Sequence, residues 1–362
     1  MLKLPEKKDF VNDNFATIFD TNNSSTNKSM NKFIAVTAII MLLPFGCKKS
    51  AFIAEVEEIE VNLPVTRFEQ VLFSADPSAL EDYIPQWREK YGEFLQDFAY
   101  ILQLGSVDDP QFAERLKKFV TDRSVYRAYK KTMEVFPDLQ QPVAGLTTAF
   151  KHYLFYFPEK TAPEIITYVS GLTQSAITDD SLMAIGLDRY LGSDELLYSK
   201  AGIYSYLIRN MHPGKIVSDC MLFWAQTEFP FNDSIDNLIT NMIYEGKLAY
   251  FAKAMLPLEA DTIIWGFTGK EMEFCMSGEE TMWTYLVEHK LLFSADKFVI
   301  SQYTDPGPFT KDFGLNSTAR AANWLGYRIV QSYMNTNPEI TLPELMTDDD
   351  YMQILNLSAY NP

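Results

Sequence analysis

"DNLITNMIYEGKLAYFAKAMLP", residues 236–257, is the stretch on which the fold turns. Leu238, Met242, Glu245, Ala249 and Ala252 recur at spacings of four and three, so one helix face holds them all. That face is apolar apart from Glu245. Its neighbour Gly246 has no side chain. A glycine inside a helix costs about 1 kcal/mol relative to alanine, and it marks a place where another element packs close. The stretch predicts a long helix, tightly packed at Gly246, with one carboxylate among apolar residues.

Helical periodicity continues outward in both directions. In "PSALEDYIPQWREKYGEFLQDFAYIL" (77–102), Leu80, Ile84, Trp87, Tyr91, Phe94, Phe98 and Ile101 form an amphipathic helix, with a bend expected at Pro85. "DPQFAERLKKFV" and "DRSVYRAYKKTMEVF" predict two more, with Asp109 and Asp122 as caps. "LQQPVAGLTTAFKHYLFYF" (139–157) predicts another. Further helices are expected at 197–210, 216–229, 269–274, 278–290, 317–335 and 342–356, and the central helix at 233–256. Residues 61–73 read as an opening strand and turn. Between 164 and 188 the runs "EIITYVSG", "SAIT" and "SLMAIGLD" predict a small sheet of two or three strands. No repeat and no Gly/Ser linker interrupts residues 61–362. The expected architecture is a single, mainly α (α+β) domain with a small β-sheet.

The 362 residues are 47% hydrophobic and 14% aromatic, enough for a substantial core. The net charge of −17 repels phosphate backbones, so nucleic acid is not an expected partner. It equally excludes bulk attraction to anionic lipid. Any membrane attachment needs another cause.

That cause lies in "MNKFIAVTAIIMLLPFGCKK", residues 30–49. Lys32 supplies a short basic region. Phe33 to Phe45 is apolar but shorter than the roughly 20 residues a spanning helix needs. Small Gly46 precedes Cys47. The pattern reads as a signal peptide over 30–46 and resembles the lipobox of bacterial lipoproteins, with Pro44 where leucine is usual. The resemblance implies that the Cys47 thiol is diacylated (palmitate-type chains) and becomes the membrane anchor, since two or more chains hold stably. Residues 1–29 read as a disordered extension or a mis-called start, and 47–60 as a charged tether.

Candidate chemistry is sparse. The three histidines, His152, His212 and His289, cannot pair on one helix face. No P-loop, dinucleotide-binding glycine motif or nucleophile elbow is present. Cys220 and Cys275 are either bridged in an oxidising compartment or buried as free thiols. The stretch around Glu245 resembles the second helix of predicted zinc peptidases, which reads roughly L-x-x-x-I-x-E-G-L-A-E-Y-F. There an H-E-x-x-H on the preceding helix supplies two metal ligands and a general base. Here the preceding helix reads "SDCMLFWAQTEF" (218–229), with Met221, Leu222 and Ala225 at the expected positions. Those residues cannot hold zinc. The resemblance implies a degenerate zincin-like scaffold, with no cofactor and Glu245 as a vestige of the metal site. Trp224, Glu228, Arg320, Trp324 and Arg328 are candidate linings of a partner groove.

With these stretches in hand, the chain resembles the GldB family of gliding-motility lipoproteins from Bacteroidetes. The resemblance rests on "GLDRYLG" (186–192), "MLFWAQTEFP" (221–230), "NMIYEGKLAYFAKAMLP" (241–257), "MWTYLVEHKLLFS" (282–294), "GPFT" (307–310), "ARAANWLGYRIVQSYM" (319–334) and "LPELMTDDDYMQILNLSAY" (342–360). It implies a cell-envelope lipoprotein needed for gliding, working with the gliding and type IX secretion machinery, and no known reaction. Lys48 and Lys49 after the cysteine carry no acidic surface-export signal, so a periplasm-facing, non-catalytic component is expected. An envelope hydrolase acting on peptides or glycans is the alternative, because 48 acidic residues leave room for a carboxylate pair.

Overall fold

The computed structural model describes Phe52 and residues 54–362; the leader, Gly46 and Cys47 lie outside the described residues. The sheet has four strands: β1 (Val65–Arg67), β2 (Glu164–Tyr168), β3 (Ala176–Thr178) and β4 (Leu182–Gly186), in the order β1-β2-β4-β3. β1 and β4 both run parallel to β2, with Thr66 and Ala184 flanking Ile166. β3 closes the edge antiparallel to β4. Parallel neighbours need a crossover connection. Between β1 and β2 it is made by five helices: α1 (Phe68–Ser74), α2 (Leu80–Ile101), α3 (Phe112–Thr121), α4 (Arg123–Val135) and α5 (Gln140–Tyr156).

Helices cover both faces of the sheet. Side chains alternate along a strand, so Ile166 and Tyr168 of β2 pack with Phe68, Phe94 and Phe98 from α1 and α2. Ile165, Met183 and Ile185 face the other way, into the larger core. Burial on both faces explains why β2 and β4 read as nearly unbroken apolar runs.

After β4 come α6 (Leu196–Lys200), α7 (Ser205–Ile208), α8 (Ile216–Glu228) and α9 (Leu238–Met255). Then follow α10 (Asp261–Trp265), α11 (Gly269–Ser277), α12 (Glu279–Glu288), α13 (Lys297–Thr304), α14 (Ala321–Thr336), α15 (Leu342–Thr347) and α16 (Tyr351–Leu357). α9 is the central helix predicted from residues 236–257. Asn237 and Thr240 form a reciprocal capping box at its start. Its buried residues lie on all sides, Lys247 among them, rather than along a single stripe. α8, α14 and α16 pack around it.

The mainly α reading with a small sheet holds, and several local expectations change. β1 runs directly into α1, where a turn was expected. The break in α2 falls at Gly92 (φ 48°, ψ −122°), not at Pro85, because only glycine enters that backbone region without strain. The expected helix at 197–210 is two short helices separated at Gly202 (φ +78°). The helix at 342–356 breaks between Thr347 and Tyr351. Asp122 caps α4 by accepting from the Ser124 and Val125 amides, as expected. Asp109 accepts from the Gln111 amide just ahead of α3.

The segment read as a tether joins the domain well before residue 61. Phe52 meets the Tyr250 ring edge-on at 4.9 Å. Val56 is buried, and the Lys151 ammonium donates to the Glu57 carbonyl at 3.0 Å.

Candidate functional site

The two helices compared with a peptidase metal site, α8 and α9, come first. Met221 and Ala225 of α8 are fully buried, and Leu222 packs partly buried against the same core. Their side chains hold the helix to its neighbours. Glu245 of α9 lies among residues of α13, α14 and the segments beside them. The Asn323 amide donates to its carboxylate at 3.4 Å. Burial raises its pKa, the Arg320 charge opposes that shift, and Asp305 adds to it. The surroundings of Glu245 are thus partly polar, contrary to the apolar face read from the spacing. The helix is buried all round, so no single face could predict its environment.

The histidines are dispersed. His152 pairs through Nδ1 with the Thr148 carbonyl at 3.0 Å, and His289 stacks on Tyr285. His212 lies ahead of α8, its pKa lowered by burial and by Lys215. Among the described residues, no three His, Cys, Asp or Glu side chains are grouped to hold a metal ion. Cys220 and Cys275 are both buried free thiols.

The five groove candidates do not share one surface. Trp224 is completely buried, edge-on to Phe150 at 5.6 Å. Helical spacing turns it toward α5, not to solvent. Glu228 is paired with Lys160 at 2.6 Å. Trp324 is buried against Trp265, 5.6 Å away. Arg328 meets both carboxylate oxygens of Glu279, at 2.8 and 3.0 Å. Arg320, in contrast, lines a cavity.

That cavity, of about 170 Å³, is lined from segments next to β3 and β4 and from the helical part of the chain. Arg189 and Tyr190 reach it from just after β4, Arg209 and Asn210 from the end of α7, and Asp219 from α8. Arg320 completes it from the start of α14. Each group has a defined set of partners. Arg189 donates to the Leu172 carbonyl at 2.9 Å and to the Ser175 hydroxyl at 3.4 Å. Arg209 donates through Nη1 to Glu271 at 2.8 Å, while its Nε is buried without a partner. Asp219 accepts from Lys215 at 2.9 Å and from the Tyr190 hydroxyl at 3.1 Å.

Arg320 is held in an unusual way. Its backbone is left-handed (φ 57°, ψ 28°), at the residue preceding α14. That conformation costs a non-glycine residue about 1–2 kcal/mol. Strain of this kind concentrates at functional sites. Its Nη2 donates to the Trp265 carbonyl at 2.5 Å, and the guanidinium lies 5.4 Å from the Phe267 ring centre. Burial pushes its pKa down, with Glu245 and Asp219 opposing and Arg209 adding to the fall.

Spacing alone could not have assembled this site. Arg189, Arg209, Asp219 and Arg320 come from separated elements, with no local motif linking them. The only signal was indirect: Arg189 lies in "GLDRYLG" and Arg320 in "ARAANWLG".

Fold and site together define a helix-rich α+β domain with a small mixed sheet and a basic cavity at its helical junction. The chain belongs to a family described as gliding motility protein GldB, whose model matches residues 49–362. No curated protein and no solved structure matches it. Membership links the chain to gliding motility, and the family's lipoprotein label links it to the cell envelope. Among the described residues, no helix is long and apolar enough to cross a membrane.

Proposed function

We propose that this chain is a non-catalytic, lipid-anchored envelope component that gliding requires, acting in the assembly of the gliding and type IX secretion apparatus. One observation carries this reading. Where the peptidase helix that α8 is compared with needs two imidazoles and a carboxylate, α8 has Met221, Leu222 and Ala225, with Met221 and Ala225 fully buried. α8 and α9 pack against each other, and Glu245, the residue that resembles the peptidase glutamate, accepts from the Asn323 amide of α14.

The anchor is Cys47, facing the periplasm. Five residue steps separate it from Phe52, which is already packed on Tyr250. A fully extended chain covers at most about 18 Å over that distance. An acylated Cys47 therefore holds the domain close to the bilayer, not on a long leash.

The test uses the full-length chain in its own cell. A Glu245→Gln strain is expected to glide normally, while Cys47→Ala is expected to abolish lipid labelling and release the protein from membranes. Stoichiometric zinc on wild-type protein purified without chelators would overturn the non-catalytic reading. So would a folded, membrane-bound Glu245→Gln protein that keeps its envelope partners yet fails to support gliding. Continued lipid labelling of Cys47→Ala would overturn the anchor.

A further inference from the structure

The cavity at the start of α14 is basic inside an acidic protein. Arg189, Arg209 and Arg320 line it with one acid, Asp219, while Glu271, outside the lining, pairs with Arg209 at 2.8 Å. Asp219 is already engaged by Lys215 and Tyr190. Three guanidinium groups converging on one space repel each other, and each carries five N–H donors. The protein partners at hand use few of these. Arg209 keeps a buried Nε with no acceptor, and Arg320 gives one bond, to a backbone carbonyl. Leu207, Met211, Phe267, Pro306 and Ala319 add apolar side chains to the same lining.

We propose that this cavity binds a single carboxylate group carried on a short apolar stem. A guanidinium presents its donors as a planar fork that matches the two oxygens of a carboxylate. The apolar side chains in the lining suit a carbon stem, which inorganic phosphate lacks. Asp219 in the lining disfavours a dianion and tolerates a monoanion. A space of about 170 Å³ takes one small terminal group and excludes a bulky one. The carboxylate has two sources: a free short-chain acid, or the carboxy-terminus of a polypeptide lying along the cavity mouth. This site rests on the pocket's own geometry and stands whether or not the assembly reading does.

Calorimetric titration of the full-length chain in detergent tests it. The probes are propionate, N-acetyl-glycyl-alanine, the carboxamide of that dipeptide, and inorganic phosphate. The dipeptide acid is expected to bind and its carboxamide not to. Arg320→Asn keeps a residue that accepts the left-handed backbone, and Arg209→Lys keeps the charge without the fork. Each is expected to weaken binding by about ten- to hundredfold, the size of one lost charge-assisted bond. Thermal unfolding of both variants establishes that they fold. A dipeptide acid that binds more tightly than propionate supports a polypeptide source, and equal binding supports a free acid. Phosphate as the tightest ligand would overturn the proposal. Binding by none of the probes, or unchanged affinity in both folded variants, would do the same.

Discussion

Gly246 of α9 and Gly326 of α14 meet backbone to backbone. A Cβ placed on Gly326 would lie 1.7 Å from the Met242 carbonyl oxygen, and one on Gly246 would lie 2.3 Å from the Gly326 carbonyl carbon. Both obstacles are main chain, so no rotamer change relieves them. The crossing of α9 and α14 thus depends on two missing methyl groups.

Gly326→Ala should therefore destabilise the fold. Alanine gains about 1 kcal/mol in helix propensity. Overpacking costs about 1–3 kcal/mol, and here the clash is with backbone, at the severe end of that range. A lower denaturant midpoint than wild type is expected, with Gly246→Ala behaving alike. A variant as stable as wild type would show that the helices can move apart freely.

Gly246 was legible in the sequence because a glycine retained inside a strong helical pattern gives up helix propensity, and close packing is what offsets that loss. Asp122 was legible because capping is local. The small sheet at 164–188 was legible from β-branched runs, and an opening strand was legible within 61–73, though β1 is only three residues long and runs on into a helix rather than a turn. Helical spacing located Trp224 and Arg328 on helices and could not say which neighbour each helix face would meet. Trp224 went to the core and Arg328 to Glu279. The basic cavity gathers Arg189, Arg209 and Arg320 across more than a hundred residues, and only tertiary packing brings them together.

Glu245 gives a prediction with a sign. Its folded-state pKa is raised above the ordinary 4.5, by burial first. The folded protein then holds that proton more tightly than the unfolded chain does. This group's contribution to stability falls as pH rises from about 4.5 toward the raised value. Glu245→Gln keeps an acceptor for Asn323 and removes the titration. Denaturant melts across that window should be flatter for the variant than for wild type. Identical slopes would mean that Glu245 is solvated.

The two described thiols should be inert in the native state. The thiolate is the reactive form. Burial pushes the Cys220 pKa far up and that of Cys275 up to about 12. Alkylation at pH 8, read peptide by peptide in a mass spectrometer, should spare both until guanidinium is added. Rapid native labelling of either would contradict their burial. Two unlabelled cysteines after unfolding would reveal a disulfide.

Lys247 supplies the opposite pH dependence. Its ammonium is buried in the middle of α9, donates to the Asp348 carbonyl at 2.7 Å and lies 5.4 Å from the centre of the Tyr351 ring. Burial brings its pKa down to about 8, with Asp349 and Asp348 opposing. Between that value and the ordinary 10.5, the unfolded chain binds a proton that the folded chain does not. Stability from this group therefore rises with pH from about 8 upward, by about 3 kcal/mol over the full window. Buried tyrosines pull the other way as pH approaches 10, because burial raises their pKa, so the informative range is pH 7.5 to 9.5. Wild-type unfolding free energy should climb across it, and Lys247→Met should not climb. Methionine leaves the Asp348 carbonyl without its donor, so the absolute stability of the variant decides nothing and the difference in slope decides the question. Parallel slopes would place the ammonium in contact with water, and the centre of the α9 core would then be wetter than its packing describes.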